Sequence, residues 1–149
     1  MNIYIKKASK NDLKKLAEIY VEEFSKAPYN EPWTQEKALN KLEIFSKYCE
    51  IWDIKYENQL VGFIIINPNQ WCPGEIAFGE EIAIKQEFQN KGIGTKAFEM
   101  IFEKYKKRGF KIFMGMENKN SKAKSLYNKI GVQESRTYTI IEKELKWKN

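Results

Sequence analysis

The sequence contains no histidine. That absence removes the Ser-His-Asp and Cys-His mechanisms and every histidine-ligated metal site, so no metal is expected. Acid–base chemistry is left to Glu, Asp, Tyr, Lys, Cys or water. Arginine is nearly absent too, standing only at Arg108 and Arg136. Base reading in DNA relies on bidentate arginine forks, and this shortage argues against a nucleic-acid module. The two cysteines, Cys49 and Cys72, make no disulfide framework and fit a reducing, cytoplasmic setting. No run of about 18 apolar residues exists, so no membrane span is expected. The opening "MNIYIKKASK" lacks the apolar stretch of a secretory leader. Internal repeats, low-complexity tracts and linkers are also missing.

What is present suits one folded domain over residues 1–149. A chain of about 150 residues buries roughly 68–70% of its unfolded surface, enough for a core without staples. The formal net charge is +6. A basic chain fits an anionic partner: nucleic acid, a membrane surface or a phosphate-bearing cofactor. The lysines are scattered, as on a solvated surface, and no arginine–aromatic platform accompanies them.

The pattern predicts an opening strand over 2–9, then a helix capped by Ser9 with Asp12 three residues on. Leu13, Leu16, Ala17, Tyr20, Val21 and Phe24 mark its apolar face. Residues 25–33, with two prolines, read as a loop. Thr34 caps a second helix with Ala38, Leu42, Phe45 and Cys49 on one side. Residues 51–67 read as two strands around a turn near Asn58-Gln59, and "VGFIII" as a strand buried on both faces. After the loop 68–74, residues 75–85 form a strand whose Gly79 signals a bulge or bend. Ala97, Phe98, Ile101, Phe102 and Tyr105 mark a third helix closed near Gly109. A strand over 110–116, a short helix over 120–131 capped by Asn120 or Ser121, and a closing strand over 135–145 complete the order β-α-α-β-β-β-α-β-α-β. Helices embedded among strands indicate an α/β or α+β layer fold with a mixed sheet.

The stretch "QNKGIGTKAF" (89–98) places Gly92 and Gly94 just where the third helix begins. A helix start exposes unpaired N–H groups and partial positive charge. Glycines there let a phosphate approach the backbone; the alternative is a structural turn. The Walker pattern is absent.

The loop Gln89-Asn90-Lys91-Gly92-Ile93-Gly94 resembles the signature of the GCN5-related N-acetyltransferases, in which glutamine or arginine precedes x-x-G-x-G/A. Downstream, "NKNSKAKSLYNKIGV" is similar to that superfamily's second element, N-x-x-A-x-x-x-Y-x-K-x-G-F. Asn120, Ala123, Tyr127, Lys129 and Gly131 fall on it; Val132 departs, replacing phenylalanine. The resemblance implies a mostly antiparallel sheet of six to seven strands with about four helices, and acetyl-CoA as co-substrate. It implies that Ile82, Ala83 and Ile84 run along the pantetheine as an added strand would. The amides of Gln89, Asn90, Lys91, Gly92, Ile93, Gly94 and Thr95 would hold the diphosphate, with Asn120 and Ala123 beside the pantetheine arm. Lys91, Lys96 or Lys124 would face the 3′-phosphate.

Tyr127 falls on the family's general-acid position; otherwise it is a core aromatic. The base falls on Glu81, with Glu80 next and Glu117 third. Successive strand residues point to opposite faces, so only one of the glutamate pair can line a cleft unless a bulge intervenes. For the acceptor, Tyr29, Trp33 and Trp71 form a candidate aromatic pocket with Glu81, the alternative being a cluster that closes the core. Glu22, Glu23, Glu31 and Glu75 add negative charge to these segments. Several small-molecule acetyltransferases, some of them aminoglycoside-modifying, share this architecture. The expected acceptor is therefore the primary amine of a small cationic molecule, attacking the thioester directly. The rivals are a peptide or protein N-acetyltransferase and a non-catalytic acetyl-CoA-binding regulator. Pairing of two chains through the closing strand is a further option.

Overall fold

A computed structural model describes residues 2–146. β1 (Ile3–Lys7) leads into the predicted cap. Asp12 Oδ2 accepts from the Ser9 amide at 2.8 Å and from Ser9 Oγ at 3.0 Å. This reciprocal arrangement closes one 3-10 turn ahead of α1 (Leu13–Phe24). α2 (Gln35–Tyr48) starts where Thr34 Oγ1 accepts from the Lys37 amide at 3.2 Å. Three strands follow: β2 (Glu50–Tyr56), β3 (Gln59–Asn67) and β4 (Ile76–Ile84). Then come α3 (Ile93–Lys107), β5 (Ile112–Gly115) and α4 (Lys124–Lys129).

The five described strands form one sheet in the order β1-β2-β3-β4-β5. β1 to β4 pair antiparallel, and β5 runs parallel to β4. β3 is buried on both sides, as predicted from its continuous apolar run. Phe63 and Ile65 pack with Leu16, Tyr20 and Leu42 of α1 and α2. Ile64 and Ile66 pack with Ala97, Phe98 and Ile101 of α3.

Two expectations are corrected. The sheet has five described strands rather than six or seven, because residues 135–145 form no ladder with any described residue. Their alternation suits a strand, but a strand needs a neighbour for its N–H and C=O groups, and none is supplied. Ile140, Ile141 and Leu145 stand 63%, 89% and 88% exposed, and thus lack the covering layer as well. The last helix is also shorter than 120–131. Asn118 Oδ1 accepts from the Asn120 amide at 2.8 Å, and Ser121 Oγ from the Ala123 amide at 3.0 Å. These side chains build turns, which compete with a helix start, so α4 begins only after Ala123.

β4 carries the bulge that Gly79 signalled. Ile65 pairs with Glu81 while Ile66 pairs with Gly79, leaving Glu80 as the extra residue. A Cβ on Gly79 would lie 2.8 Å from the Phe113 ring, so glycine lets β5 come close.

Asp53 on β2 is fully buried, and among the described residues neither of its oxygens has a hydrogen-bond partner. Burial, and then the neighbouring Asp12, push its carboxyl up to about 7. A proton removes the buried charge of Asp53 beside Asp12. The folded pKa is raised, so the stability Asp53 contributes is full below about pH 4 and is lost as pH rises through about 7. Asp53→Asn should raise stability by ~1–3 kcal/mol at pH 8 and change it little near pH 4, in paired urea titrations. An equal effect at both pH values would remove the titration of Asp53 from the account.

Candidate functional site

A cavity of about 600 Å³ opens beside the end of β4, the turn into α3, and α4. Ile82, Ala83, Ile84, Gln89, Asn90, Gly92, Gly94, Thr95 and Ala123 lie on its wall, as does Tyr29. The turn into α3 has the backbone of an anion cradle. Asn90 (φ 60°) and Gly92 (φ 79°) are left-handed, and turns of this kind present successive amides on a concave side. Gly92 is the N-cap of α3. The amides of Ile93, Gly94 and Thr95 therefore sit in the first turn, where the helix supplies no acceptor.

The two glycines serve different ends. At Gly92 the need is conformational, since an added Cβ would meet nothing within 4 Å. At Gly94 the need is space: a Cβ would lie 3.0 Å from Leu126 Cδ2 and 3.3 Å from Ile84 Cδ1.

Other expected residues fall elsewhere. The Ile93 side chain is 1% exposed, in the core. Lys91 is exposed, with Nζ over the Phe88 ring. Lys96 pairs with Glu99 at 3.6 Å, and Lys124 is exposed. The lysines on the wall are Lys122 and Lys129 instead. Asn120 is exposed and off the wall. Tyr127 is half-buried and also off the wall, its ring 5.8 Å from that of Phe98. Burial, followed by the charges of Glu117 and Glu81, raises the Tyr127 phenol well above its ordinary value. The group is a phenol rather than a phenolate at neutral pH.

The bulge settles how the paired glutamates point. Gly79 and Ile82 face α3, against Phe113 and the cluster beneath that helix. Glu80 and Glu81 lie between them, and both turn to the α1–α2 side. Tyr20 Oη donates to Glu81 Oε2 at 2.9 Å. Glu80 Oε1 accepts from Asn67 Nδ2 at 3.3 Å. Burial pushes the Glu81 carboxyl up to about 7; the Tyr20 hydrogen bond opposes this, and the charges of Glu31 and Glu80 reinforce it. A carboxylate at about 7 is a far better base at neutral pH than one at its ordinary value.

The three aromatic candidates do not gather. Trp33 packs edge-on to Tyr20 with ring centroids 4.6 Å apart, and Tyr29 packs on Phe24 at 5.1 Å. Trp71 stands apart with Phe78 and Tyr138, because loop 68–74 stays beside the first residues of β4. Trp33 Nε1 donates to Glu31 Oε1 at 2.7 Å, orienting that carboxylate. Cys49 is buried, its thiol pushed up to about 11 by burial, which makes it inert. Sequence reasoning placed Glu23 only among the acidic segments and missed Phe24, Phe88, Lys122, Ser125 and Leu126, all on the cavity wall. Helical phase held a signal for Glu23, which follows the buried Tyr20 by three residues.

Comparison with known families matches residues 13–132 to the Acetyltransferase (GNAT) family. Among solved structures, one described as a possible acetyltransferase from Clostridium difficile 630 superposes with a TM-score of 0.73 at 17% identity, over 99% of this chain and 100% of that one. The aminoglycoside N-acetyltransferase AAC(6')-Iy, in complex with CoA, gives 0.72 at 12% identity, over 97% and 96% of the two chains. The ribosomal-protein-alanine N-acetyltransferase from Brucella melitensis biovar Abortus 2308 gives 0.74 at 15%, over 96% and 100%. At these identities the likeness concerns the fold.

Proposed function

The chain belongs to the acetyltransferase (GNAT) family, and from that premise we propose that it moves the acetyl group of acetyl-CoA to a primary amine of a small cationic substrate, both bound together. One observation carries the reading. The strand end Ile82–Ile84, the glycine turn and the α4 arm converge on a single cavity. It offers an open strand edge for an amide-bearing arm and helix-start amides for a diphosphate. Support for a cationic acceptor comes from Glu31, Glu80 and Glu81, whose charges all bear on Tyr20.

Acetyl-CoA, when bound, supplies an activated thioester carbonyl. Glu81 takes a proton from the acceptor, directly or through water, leaving a lone pair on nitrogen. That nitrogen forms the new amide bond as the carbon–sulfur bond breaks, and its second proton passes to solvent as the amide forms. Tyr127 gives its phenolic proton to the departing sulfur and is reprotonated from solvent. The ionised form of Glu81 is the active one. The rate at limiting amine should therefore rise with pH through about 7. Glu81→Gln should flatten that limb and cost about 10²-fold in kcat/KM. A Glu81→Gln variant that keeps the wild-type pH profile would assign the base elsewhere, Glu80 first.

Calorimetry with acetyl-CoA, with AMP as control, followed by CoA release across an amine panel, tests the reading. Turnover of polyamines or aminoglycosides is expected. Turnover confined to peptides would replace the small-amine acceptor. Tight binding with no turnover would make the chain an acetyl-CoA-binding regulator.

We also propose that two copies pair through residues 135–145, where a strand-like segment leaves Ile141 89% exposed. Sedimentation at micromolar concentration should show a dimer that Ile141→Lys dissociates; a wild-type monomer would end this idea.

A further inference from the structure

Glu23 is 5% exposed, yet it sits on the wall of a cavity suited to an anion. A buried carboxylate there works against anion binding unless it does something else. Its contacts show what. Glu23 Oε1 accepts from Gln89 Nε2 at 3.0 Å and pairs with Lys122 Nζ. Its Oε2 lies 3.8 Å from Lys26 Nζ. Gln89 Nε2 also donates to the Ile84 carbonyl at 2.7 Å. One carboxylate thus joins α1, the start of the glycine turn at the end of β4, and the segment that leads into α4. A second tie runs parallel: Tyr29 Oη lies 3.3 Å from Ser121 Oγ and accepts from the Lys122 amide at 3.3 Å. Glu23, Gln89 and Lys122 all line the cavity, so their spacing is part of its width.

We propose that Glu23 is a positioning residue that holds the glycine turn, through Gln89, and the α4 arm, through Lys122, at the separation acetyl-CoA needs. This rests on the acetyl-CoA reading above. It makes a prediction that runs against simple charge. If Glu23 acted only through its field, removing it would tighten binding of a polyanion, and removing Lys122 would loosen it. As a clamp, either loss loosens binding, and the second loss adds little to the first.

Glu23→Gln, Lys122→Met and the double variant should be titrated with acetyl-CoA and also followed by amide hydrogen exchange without ligand. Affinity should fall about tenfold in each single variant and no further in the double, a coupling of about 1.4 kcal/mol. KM for acetyl-CoA should rise while KM for the amine holds, a split that general loosening would not produce. Exchange in residues 86–92 and 117–123 should quicken together in both single variants. Should Glu23→Gln fail to fold, Lys122→Met and Glu23→Asp carry the same test, the shortened acid being expected to restore affinity only in part. Tighter acetyl-CoA binding in Glu23→Gln, or additive losses, would overturn the clamp. So would unchanged exchange in both segments, a result that holds even if the wild-type protein proves not to bind acetyl-CoA and the functional reading itself fails.

Discussion

Tyr127→Phe is expected to lower turnover by about 10²-fold while acetyl-CoA affinity stays within about threefold. The substitution keeps the ring that packs on Phe98 and removes only the hydroxyl. Nothing in the described backbone scaffold depends on that hydroxyl: α4 is held there by the Tyr127 amide to the Ala123 carbonyl, and by the Val132 amide to the Tyr127 carbonyl, each at 2.9 Å. The raised pKa keeps the phenol protonated at neutral pH, as a group that must protonate a departing thiolate requires. Loss of a positioned proton donor costs 10²–10⁴-fold in typical enzymes. Tyr127 lies off the cavity wall, and catalytic contacts often tighten only once substrate is bound. Steady-state kinetics beside calorimetry separates the roles. Unchanged turnover with lowered thermal stability would make Tyr127 a core aromatic.

Gly94→Val should remove measurable acetyl-CoA binding, a loss of at least ~10²-fold, in a protein that still folds. Its Cβ would press on Leu126 and Ile84, both on the cavity wall, and the two added methyls reach further. Those neighbours are side-chain ends that can shift, so the fold yields while the cavity narrows. Gly92→Val acts differently: the cost is a β-branched residue at φ 79°, strain on the order of 1–3 kcal/mol borne by the turn itself. Calorimetry with circular dichroism distinguishes the two. Normal affinity in a folded Gly94→Val protein would reduce the glycine pair to a turn.

Local chemistry was enough to read most elements and about half of the cavity wall. Ser9 with Asp12, and Thr34, announced helix starts because a cap is a contact within three residues. Gly92, Gly94, Gly109 and Gly131 were legible as punctuation, three of them because a left-handed backbone tolerates little else. The run 61–66 was legible because a strand covered on both faces has no polar residue to spare. The glycine turn and the strand end that feeds it are adjacent in the chain, so their common place on the cavity wall was readable too.

Tertiary structure decided everything that depends on which distant segments meet. Residues 135–145 have the pattern of a strand, but pattern cannot supply a neighbour. Glu80 and Glu81 share a side only because a bulge at their pairing with β3 breaks the alternation. Trp71 shared a composition with Tyr29 and Trp33 and no place. Gln89 lies 66 residues from Glu23, and Lys122 lies farther still, yet both meet its carboxylate. Sequence alone determined the family, the fold class and the place of the glycine turn, because each rests on local patterns and on their order along the chain. The width of the cavity, the raised pKa of Glu81 and the identity of its wall lysines were left to packing, because burial and charge pairing belong to the folded surface and not to any stretch of chain.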